Sequence, residues 1–322
     1  MAYDKKTAYP EKMDEIADRL TTGVKSFRNS EQFKSYLKFM GKFHDYSFRN
    51  SLLIYLQNPQ SELCASFSTW KKLDRHVKAG EKGMMILCPA LKKIEQEKTD
   101  QSGKPLLDSN GKPEKETVTI PRYVPGYTFD VSQTEGQEIP RLCTELKGSV
   151  ENFQKYFDAV KATAGCPVEF EEIEGSAKGY YFPSEHRIAI RNGMDEVQIL
   201  KTALHECCHS KCDCIENKNN PDYAADKAGK ETRAEAVAFV VCSHFGVDTS
   251  DYSFPYLASW ASRDIKELNE QMELIQKTSC EIIDKMEKHL GIEPNKFMNE
   301  AREAVKADAK ARKTTKHKQR GR

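Results

Sequence analysis

The sequence lacks any run of about 18 consecutive apolar residues, and this absence excludes a membrane-spanning helix. It also lacks an excess of charge of either sign, because 50 Lys and Arg residues stand against 49 Asp and Glu residues. The field of the whole molecule is therefore too weak to attract nucleic acid, so such binding would need local clusters of cations. Residues 1–6 lead into a charged amphipathic segment, which is not the pattern of a secretory signal, and we expect a cytoplasmic protein with no membrane partner.

The ten cysteines do not indicate a disulfide framework, because a chain without an export signal is expected in a reducing compartment. In a reducing compartment, cysteines are expected to be free thiols or metal ligands. Hydrophobic residues make up 38% of the chain and charged residues 31%, a balance typical of a soluble globular protein. A length of 322 residues accommodates two domains.

Apolar residues at helical spacing predict three helices at the start of the chain. The second follows Ser30 as N-cap, and the third follows Ser47 and stops at Pro59. A short helix at residues 69–73 then leads through a turn into a strand at residues 84–88. Residues 92–116 have little to bury and predict an exposed insertion before a strand at 118–123 that continues through 127–131.

The second half alternates strands with long helices after a polar boundary at residues 132–148. The predicted elements are a helix at 150–164, strands near 168–173, 180–182 and 187–190, and helices at about 194–210, 229–245 and 263–289. The pattern predicts an α+β protein of two domains, with an N-terminal domain over residues 1–140 and a C-terminal domain over residues 149–292. Residues 293–322 are rich in Lys and Arg and predict a disordered tail.

The segment from His205 to His209 contains the pattern His-Glu-x-x-His on a predicted helix. Residues four apart lie about 40° apart around a helix, so both imidazoles can reach one Zn²⁺ ion. Glu206 would then lie beside the open coordination position as general base. Such a short pattern also arises by chance on inert helix surfaces, but here it lies on an apolar helix that follows the strand at 187–190, which has the character of an edge strand.

A third ligand is expected at the head of the next helix, where Glu231 and Glu235 are four residues apart. We predict Glu231 as ligand and Glu235 as the carboxylate that accepts a hydrogen bond from a ligand histidine, with the reverse assignment left open. Cys212 or Cys214 could replace Glu231 and would make the site structural.

Two further features near the motif have alternative interpretations. Cys207 and Cys208 are predicted to be small buried side chains. Tyr256, four residues before Trp260, is either core or a catalytic phenol that stabilises an oxyanion near the zinc.

Two N-terminal stretches, residues 46–54 and 67–83, mix aromatic residues with cations. Stacking on aromatic rings combined with phosphate pairing is how single-stranded nucleic acid is held without sequence readout. An ordinary core Trp beside a solvated charged face would give the same composition. The candidate DNA-binding residues are Arg49, Asn50, Trp70, Lys71, Lys72, Arg75, Lys78 and Lys82.

These two stretches, with residues 123–131, resemble the N-terminal domain of ArdC-type antirestriction proteins. Residues 179–182, the His205–His209 motif, and the segments at 231–235 and 256–260 resemble the zincin-like metallopeptidase domain of that family, which is related to the ImmA/IrrE peptidases. The resemblance implies a protein of mobile elements that binds single-stranded DNA and protects conjugative DNA from restriction, with a protein or peptide as possible substrate. Two alternatives stay open: a non-catalytic DNA-binding protein with a structural zinc, and a regulatory peptidase that cleaves a repressor.

Overall fold

The N-terminal half of the protein combines four helices with short and long antiparallel strands. The computed structural model describes residues 8–99, 104–107, 111–138, 150–214, 227–247, 254 and 263–292. The helices of this half are α1 (Ala8–Ser26), α2 (Ser30–Lys42), α3 (Phe48–Gln57) and α4 (Phe67–Lys72), and the strands are β1 (Cys64–Ala65), β2 (Arg75–Val77), β3 (Met84–Glu97), β4 (Lys115–Asp130) and β5 (Thr134–Gly136). The three predicted opening helices and the short fourth helix are confirmed.

Side-chain caps define where these helices begin. The Ser47 hydroxyl accepts a hydrogen bond from the backbone N–H of Asn50, which confirms the predicted N-cap of α3. The prediction of Ser30 as the N-cap of α2 is wrong, because the side chain of Asn29 accepts from the backbone N–H groups of Glu31 and Gln32. Asn29 and Ser30 are both good capping residues, and composition could not separate them.

Strands β3 and β4 form a long antiparallel hairpin, paired from Met84 opposite Thr128 to Glu97 opposite Lys115. The predicted strands at 84–88, 118–123 and 127–131 are therefore parts of two longer ones. The prediction that all of residues 92–116 form an insertion between strands is wrong at both ends, because residues 92–97 and 115–116 belong to the ladder. Backbone pairing continues there although the side chains are largely exposed.

The second half contains a small sheet packed against helices. Its elements are α5 (Val150–Ala164), β6 (Val168–Glu171), β7 (Gly179–Phe182), β8 (Arg187–Arg191), α6 (Glu196–Cys212), α7 (Lys227–His244) and α8 (Ile265–Leu290). The sheet has the order β6-β8-β7, with β8 parallel to β6 and antiparallel to β7. The predicted edge character of the strand at 187–190 is therefore wrong: β8 is central, and Ile188, Ala189 and Ile190 are fully buried.

The main hydrophobic core draws residues from both halves of the chain. Phe33 of α2 lies in the same buried cluster as Phe239 of α7 and Ile282 of α8. Helices α2 and α7 approach so closely at Gly41 that an added Cβ would lie 2.9 Å from the carbonyl oxygen of Val240. The division into domains at 1–140 and 149–292 stays a prediction, and the halves share one core. In the part of the chain that the structure describes, every helix is too short or too polar to span a bilayer.

Candidate functional site

Helix α6 positions the His-Glu-x-x-His motif at the edge of the core. The helix begins after Asp195, whose side chain accepts a hydrogen bond from the backbone N–H of Gln198. One face of α6 is buried, with Cys207 and Cys208 fully covered, which confirms their predicted burial. The imidazoles of His205 and His209 lie on the partly covered side, with side chains 15% and 12% exposed.

The two imidazoles converge with a carboxylate from the first turns of α7. The Nε2 atoms of His205 and His209 are 3.1 Å apart. Glu231 places one carboxylate oxygen 3.3 Å from His205 Nε2 and the other 3.8 Å from His209 Nε2. One ligand atom from each of these three residues lies within 4.8 Å of the other two. The structure thus brings together the three residues that the sequence predicts as metal ligands.

These donors fit a divalent cation. Two imidazole nitrogens bound at about 2.0–2.1 Å to a tetrahedral Zn²⁺ would be about 3.3 Å apart, close to the observed Nε2 separation. Two imidazole lone pairs this close repel one another unless a proton or a cation lies between them. Two nitrogens and one carboxylate also match the three-ligand set of catalytic rather than structural zinc sites.

A hydrogen-bonded chain orients His209. The Asp213 carboxylate lies 2.7 Å from His209 Nδ1, and since a carboxylate accepts, Nδ1 carries the hydrogen and Nε2 presents its lone pair to Glu231 and His205. The other Asp213 oxygen accepts from Arg233 at 2.7 Å, and Arg233 also donates to Gln271 at 3.0 Å. Asp213 is not among the predicted site residues, although it is four residues after His209 and shares its helix face.

Glu235 lies on the outer side of His205. Its carboxylate oxygen is 3.6 Å from His205 Nδ1, while Nε2 of the same ring faces Glu231. Glu235 thus lies on the side of His205 that faces away from Glu231, and the roles of the two glutamates stay a prediction. Burial raises the pKa of Glu235, whereas the hydrogen bond with His205 lowers the pKa of Glu231.

Glu206 is a buried carboxylate beside the three ligands, with only 7% of the residue exposed. Burial raises its pKa, and the charges of His205 and His209 partly oppose that rise. It also accepts a backbone hydrogen bond from Tyr181 of β7. A carboxylate whose pKa is raised is a stronger base than an ordinary carboxylate, which suits the role of general base.

Strand β7 lies at the edge of the sheet and runs close to α6. An added Cβ at Gly179 would lie 2.7 Å from the Thr202 side chain and 2.8 Å from the Ala189 carbonyl oxygen. Glycine is therefore required for this close approach. The result is a sheet edge beside the catalytic candidate Glu206.

The cysteines near the motif do not replace Glu231. The Cys208 and Cys212 sulfurs are 4.0 Å apart, and the hydrogen bond from Cys208 lowers the pKa of Cys212. Cys212 also contacts the Thr278 hydroxyl at 3.4 Å. Among the described residues that converge with His205 and His209, the third is Glu231. Tyr256 and Trp260 lie outside the described residues.

Two of the predicted DNA-binding residues are interior residues, so those predictions are wrong. Trp70 is fully buried, and its indole N–H donates to the Phe129 carbonyl oxygen at 3.0 Å. Arg75 is 9% exposed and donates to the hydroxyl and the carbonyl oxygen of Thr134 at 2.9 and 3.0 Å and to the Gln137 carbonyl oxygen. A ring and a guanidinium held in this way cannot stack on bases or pair with phosphates.

Arg49 and Asn50 at the start of α3 are also engaged within the protein. The Asn50 side chain pairs with the backbone of Leu87, accepting and donating at 2.9 Å, so it fixes α3 against β3. Arg49 is exposed but donates to Glu273 of α8 at 3.1 Å. An exposed ion pair of this kind is weak and can open.

The remaining four predicted DNA-binding residues are lysines that form an exposed basic surface around α4. Lys71 and Lys72 lie on α4 itself, and Lys78 and Lys82 follow β2; all four are exposed. Phe67, which the sequence analysis did not single out, is 59% exposed and lies four residues before Lys71 on α4. An aromatic ring and a cation at this spacing share one helix face.

Comparison with known proteins identifies relatives for parts of this chain. Residues 6–128 match the N-terminal domain of anti-restriction factor ArdC. The chain is 28% identical to the uncharacterized protein pXO2-81 of Bacillus anthracis over 90% of this chain and 55% of that protein. It is 30% identical to a DNA primase TraC of Escherichia coli over 57% of this chain and 18% of the primase. The chain thus spans about half the length of the first relative and under a fifth of the second.

Two solved structures are similar at low identity, both of the antirestriction protein ArdC from the R388 plasmid. The metal-free crystal structure has 20% identity and a TM-score of 0.46, covering 76% of this chain and 85% of that chain. The Mn(II)-bound crystal structure has 17% identity and a TM-score of 0.45, covering 77% and 86%.

Proposed function

We propose that this chain, whose residues 6–128 match the N-terminal domain of anti-restriction factor ArdC, is an antirestriction protein of a mobile element that binds single-stranded DNA and hydrolyses peptide bonds at a divalent metal. The name of the matched family supports antirestriction, and the primase relatives support a role on DNA. The convergence of His205, His209 and Glu231 beside the buried Glu206 carries the hydrolytic part.

The surface around α4 supports binding of single-stranded DNA. Phe67 presents an exposed ring on which a base can stack, and Lys71 lies on the same helix face to pair with the adjoining phosphate. Lys72, Lys78 and Lys82 extend the positive surface beyond α4. Because the whole chain is nearly neutral, this local cluster is the source of attraction that we propose.

Fluorescence anisotropy with a labelled oligothymidylate tests this surface. Phe67→Ala should weaken binding about 5- to 150-fold, since loss of one base–aromatic stack costs about 1–3 kcal/mol. Lys71→Glu with Lys72→Glu should also weaken binding and flatten its salt dependence. Lys266→Glu with Lys288→Glu, an equal charge change on two exposed lysines of α8, is the control and should bind like wild type. Equal affinity of the Phe67→Ala and wild-type proteins would contradict the proposal.

The residues around the metal centre suit hydrolysis. His205, His209 and Glu231 would hold the cation, and a Zn²⁺ ion bound there would supply Lewis-acid polarisation of a carbonyl and a more acidic water. Burial raises the pKa of Glu206, and this carboxylate would accept a proton and return it to a leaving amine. Asp213 holds the His209 ring in the required tautomer.

The edge strand β7 supports a peptide as substrate. An extended peptide can add to an exposed sheet edge through main-chain hydrogen bonds. The backbone N–H of Tyr181 in β7 donates a hydrogen bond to Glu206. A peptide paired with this strand would therefore lie next to the proposed general base. Gly179 keeps the strand close to α6 at this point.

The variant Glu206→Gln tests hydrolysis separately from metal binding. It should retain the bound metal and lose hydrolysis of fluorescein-labelled casein, whereas His205→Ala with His209→Ala should lose both. Antirestriction is measured in parallel as the efficiency of plasmid transfer into a restricting host. If Glu206→Gln binds metal and protects DNA as wild type does, hydrolysis is dispensable and the alternative of a structural metal holds. Disappearance of a host repressor only with intact Glu206 would favour the regulatory peptidase.

A further inference from the structure

A second cluster of possible metal ligands lies where the loop between α2 and α3 meets α8. One ligand atom each from His44, Asp284 and Glu287 lies within 4.8 Å of the other two. His44 Nε2 is 3.8 Å from an Asp284 oxygen and 3.9 Å from an Asp45 oxygen. The His44–Asp284 separation equals the 3.8 Å between His209 Nε2 and Glu231 at the site on α6. We propose that this cluster is a second divalent-cation site.

The helix α8 presents both carboxylates on one face. Asp284 and Glu287 are three residues apart, and positions i and i+3 lie on the same side of a helix. His44 stands in the turn directly after α2, so the three donors come from two elements far apart in sequence. His44 and Glu287 are buried, with 5% and 8% exposure, while the Asp284 side chain is 52% exposed. The two buried ligands are fixed in place, and a cation can enter from solvent on the side of the exposed Asp284.

The path is a cleft of about 880 Å³ that His44, Asp45, Cys280 and Asp284 help to line. Asp284 belongs to a second group of possible ligands with Asp45 and Cys280. The imidazole of His44 beside the carboxylates of Asp284 and Glu287 favours a first-row divalent cation over Ca²⁺ or Mg²⁺, which take oxygen ligands almost exclusively.

His244 holds one of the proposed ligands in place. The His244 ring contacts the Gly41 carbonyl oxygen through Nδ1 at 2.8 Å and the Glu287 carboxylate through Nε2 at 2.9 Å. Carboxylates that ligate metal ions are commonly held by hydrogen bonds from neighbouring groups in this way. The contact therefore fixes the Glu287 carboxylate near His44, where one cation can reach both.

The consequence of the site is a metal link between the two halves of the chain. His44 precedes α3 in the N-terminal half, and Asp284 and Glu287 lie on the last described helix. A cation bound here would stabilise the folded protein in proportion to its concentration, because the separated ligands of the unfolded chain bind it weakly.

Mn²⁺ is the probe, because it binds carboxylate and imidazole ligands in preference to the many thiols of this chain. Electron paramagnetic resonance measures free Mn²⁺ during titration of the full-length protein. We expect two bound ions per chain in wild type, one in His205→Ala with His209→Ala, and none when Asp284→Asn is added. In that double-Ala background, Mn²⁺ should also raise the melting temperature, and Asp284→Asn should remove the rise and weaken binding at least about tenfold.

Two controls keep the result interpretable. Asp284 is half exposed, so Asp284→Asn should fold, and circular dichroism of the metal-free variant verifies this. Glu270→Gln removes an equal charge from an exposed position of α8 outside the cluster and should leave the stoichiometry unchanged. If the His205→Ala, His209→Ala protein binds no Mn²⁺ and its melting temperature does not respond, the cluster is an ion-pair network only and the proposal is rejected. Equal loss of binding in Glu270→Gln would reject it as well.

Discussion

Replacing Asp213 by Asn removes the orientation of His209 while leaving every predicted metal ligand in place. In the wild-type protein one Asp213 oxygen accepts from His209 Nδ1 and the other from Arg233, both at 2.7 Å. An Asn side chain has one acceptor and one donor group, so it faces either His209 or Arg233 with N–H against N–H. We expect the His209 ring to lose its preferred tautomer and, with it, the lone pair that points to the metal position.

The expected magnitudes follow from the burial of the pair. Loss of an outer partner of a metal-binding histidine typically costs about 10- to 100-fold in metal affinity, or about 1.4–2.7 kcal/mol. The Arg233 and Asp213 side chains are only 7% and 11% exposed. Removing one partner of a buried ion pair costs about 3–5 kcal/mol, and we expect the lower end because Asn keeps one hydrogen bond.

Two measurements separate these effects. Isothermal titration with Zn²⁺ in the Asp284→Asn background reports on the site of α6, and urea unfolding with a chelator reports on the metal-free fold. Asp264→Asn is the matched control, because Asp264 caps α8 on the surface and Asn is an equally good N-cap. If Asp213→Asn binds Zn²⁺ as tightly as Asp264→Asn does, Asp213 does not orient His209 and the reasoning fails.

Three further predictions concern packing and metal. Trp70→Ala should cost about 3–5 kcal/mol of unfolding free energy in urea, while Phe67→Ala should stay within about 0.5 kcal/mol; equal losses would contradict the assignment of Trp70 to the core and Phe67 to the surface. Gly179→Ala should cost about 1–3 kcal/mol and lower casein hydrolysis, because its methyl group meets Thr202; unchanged unfolding and activity would show that β7 can shift freely. Removing metal with a chelator should lower the unfolding free energy by about 2.7 kcal/mol per bound ion relative to protein held at 100 times the dissociation constant, and no change in thermal melting would argue against a folded-state site.

Helices were predictable from the sequence because their signals are local. The apolar spacing and the capping Ser47 lie within one or two turns of the helix that they define. Strand order is not local: β8 is central because it pairs with β6 and with β7, and the composition of residues 187–190 carries no record of either partner. The length of the β3–β4 hairpin was underestimated for a related reason, since backbone pairing leaves no hydrophobic pattern where both faces are exposed.

The candidate site was predictable where spacing alone determines which side chains meet. His205 and His209 must share a face of α6, and the same rule applied once more would have found Asp213. The role of Arg233 could not be predicted from the sequence, because its pairing with Asp213 depends on how α7 crosses α6. The role of Trp70 was also undecidable locally, since an aromatic residue among cations fits both a DNA surface and a core.

The core shared by the two halves limits how this protein can be divided. Helix α7 carries Glu231 near one end, and towards the other end it touches Gly41 of α2 through Val240. A fragment that ends at residue 138 would leave Phe33 and its neighbours facing water, and we expect such a fragment to precipitate. A DNA-binding module made from this chain would therefore have to keep α7 and α8, or carry a designed replacement for the surface that they cover.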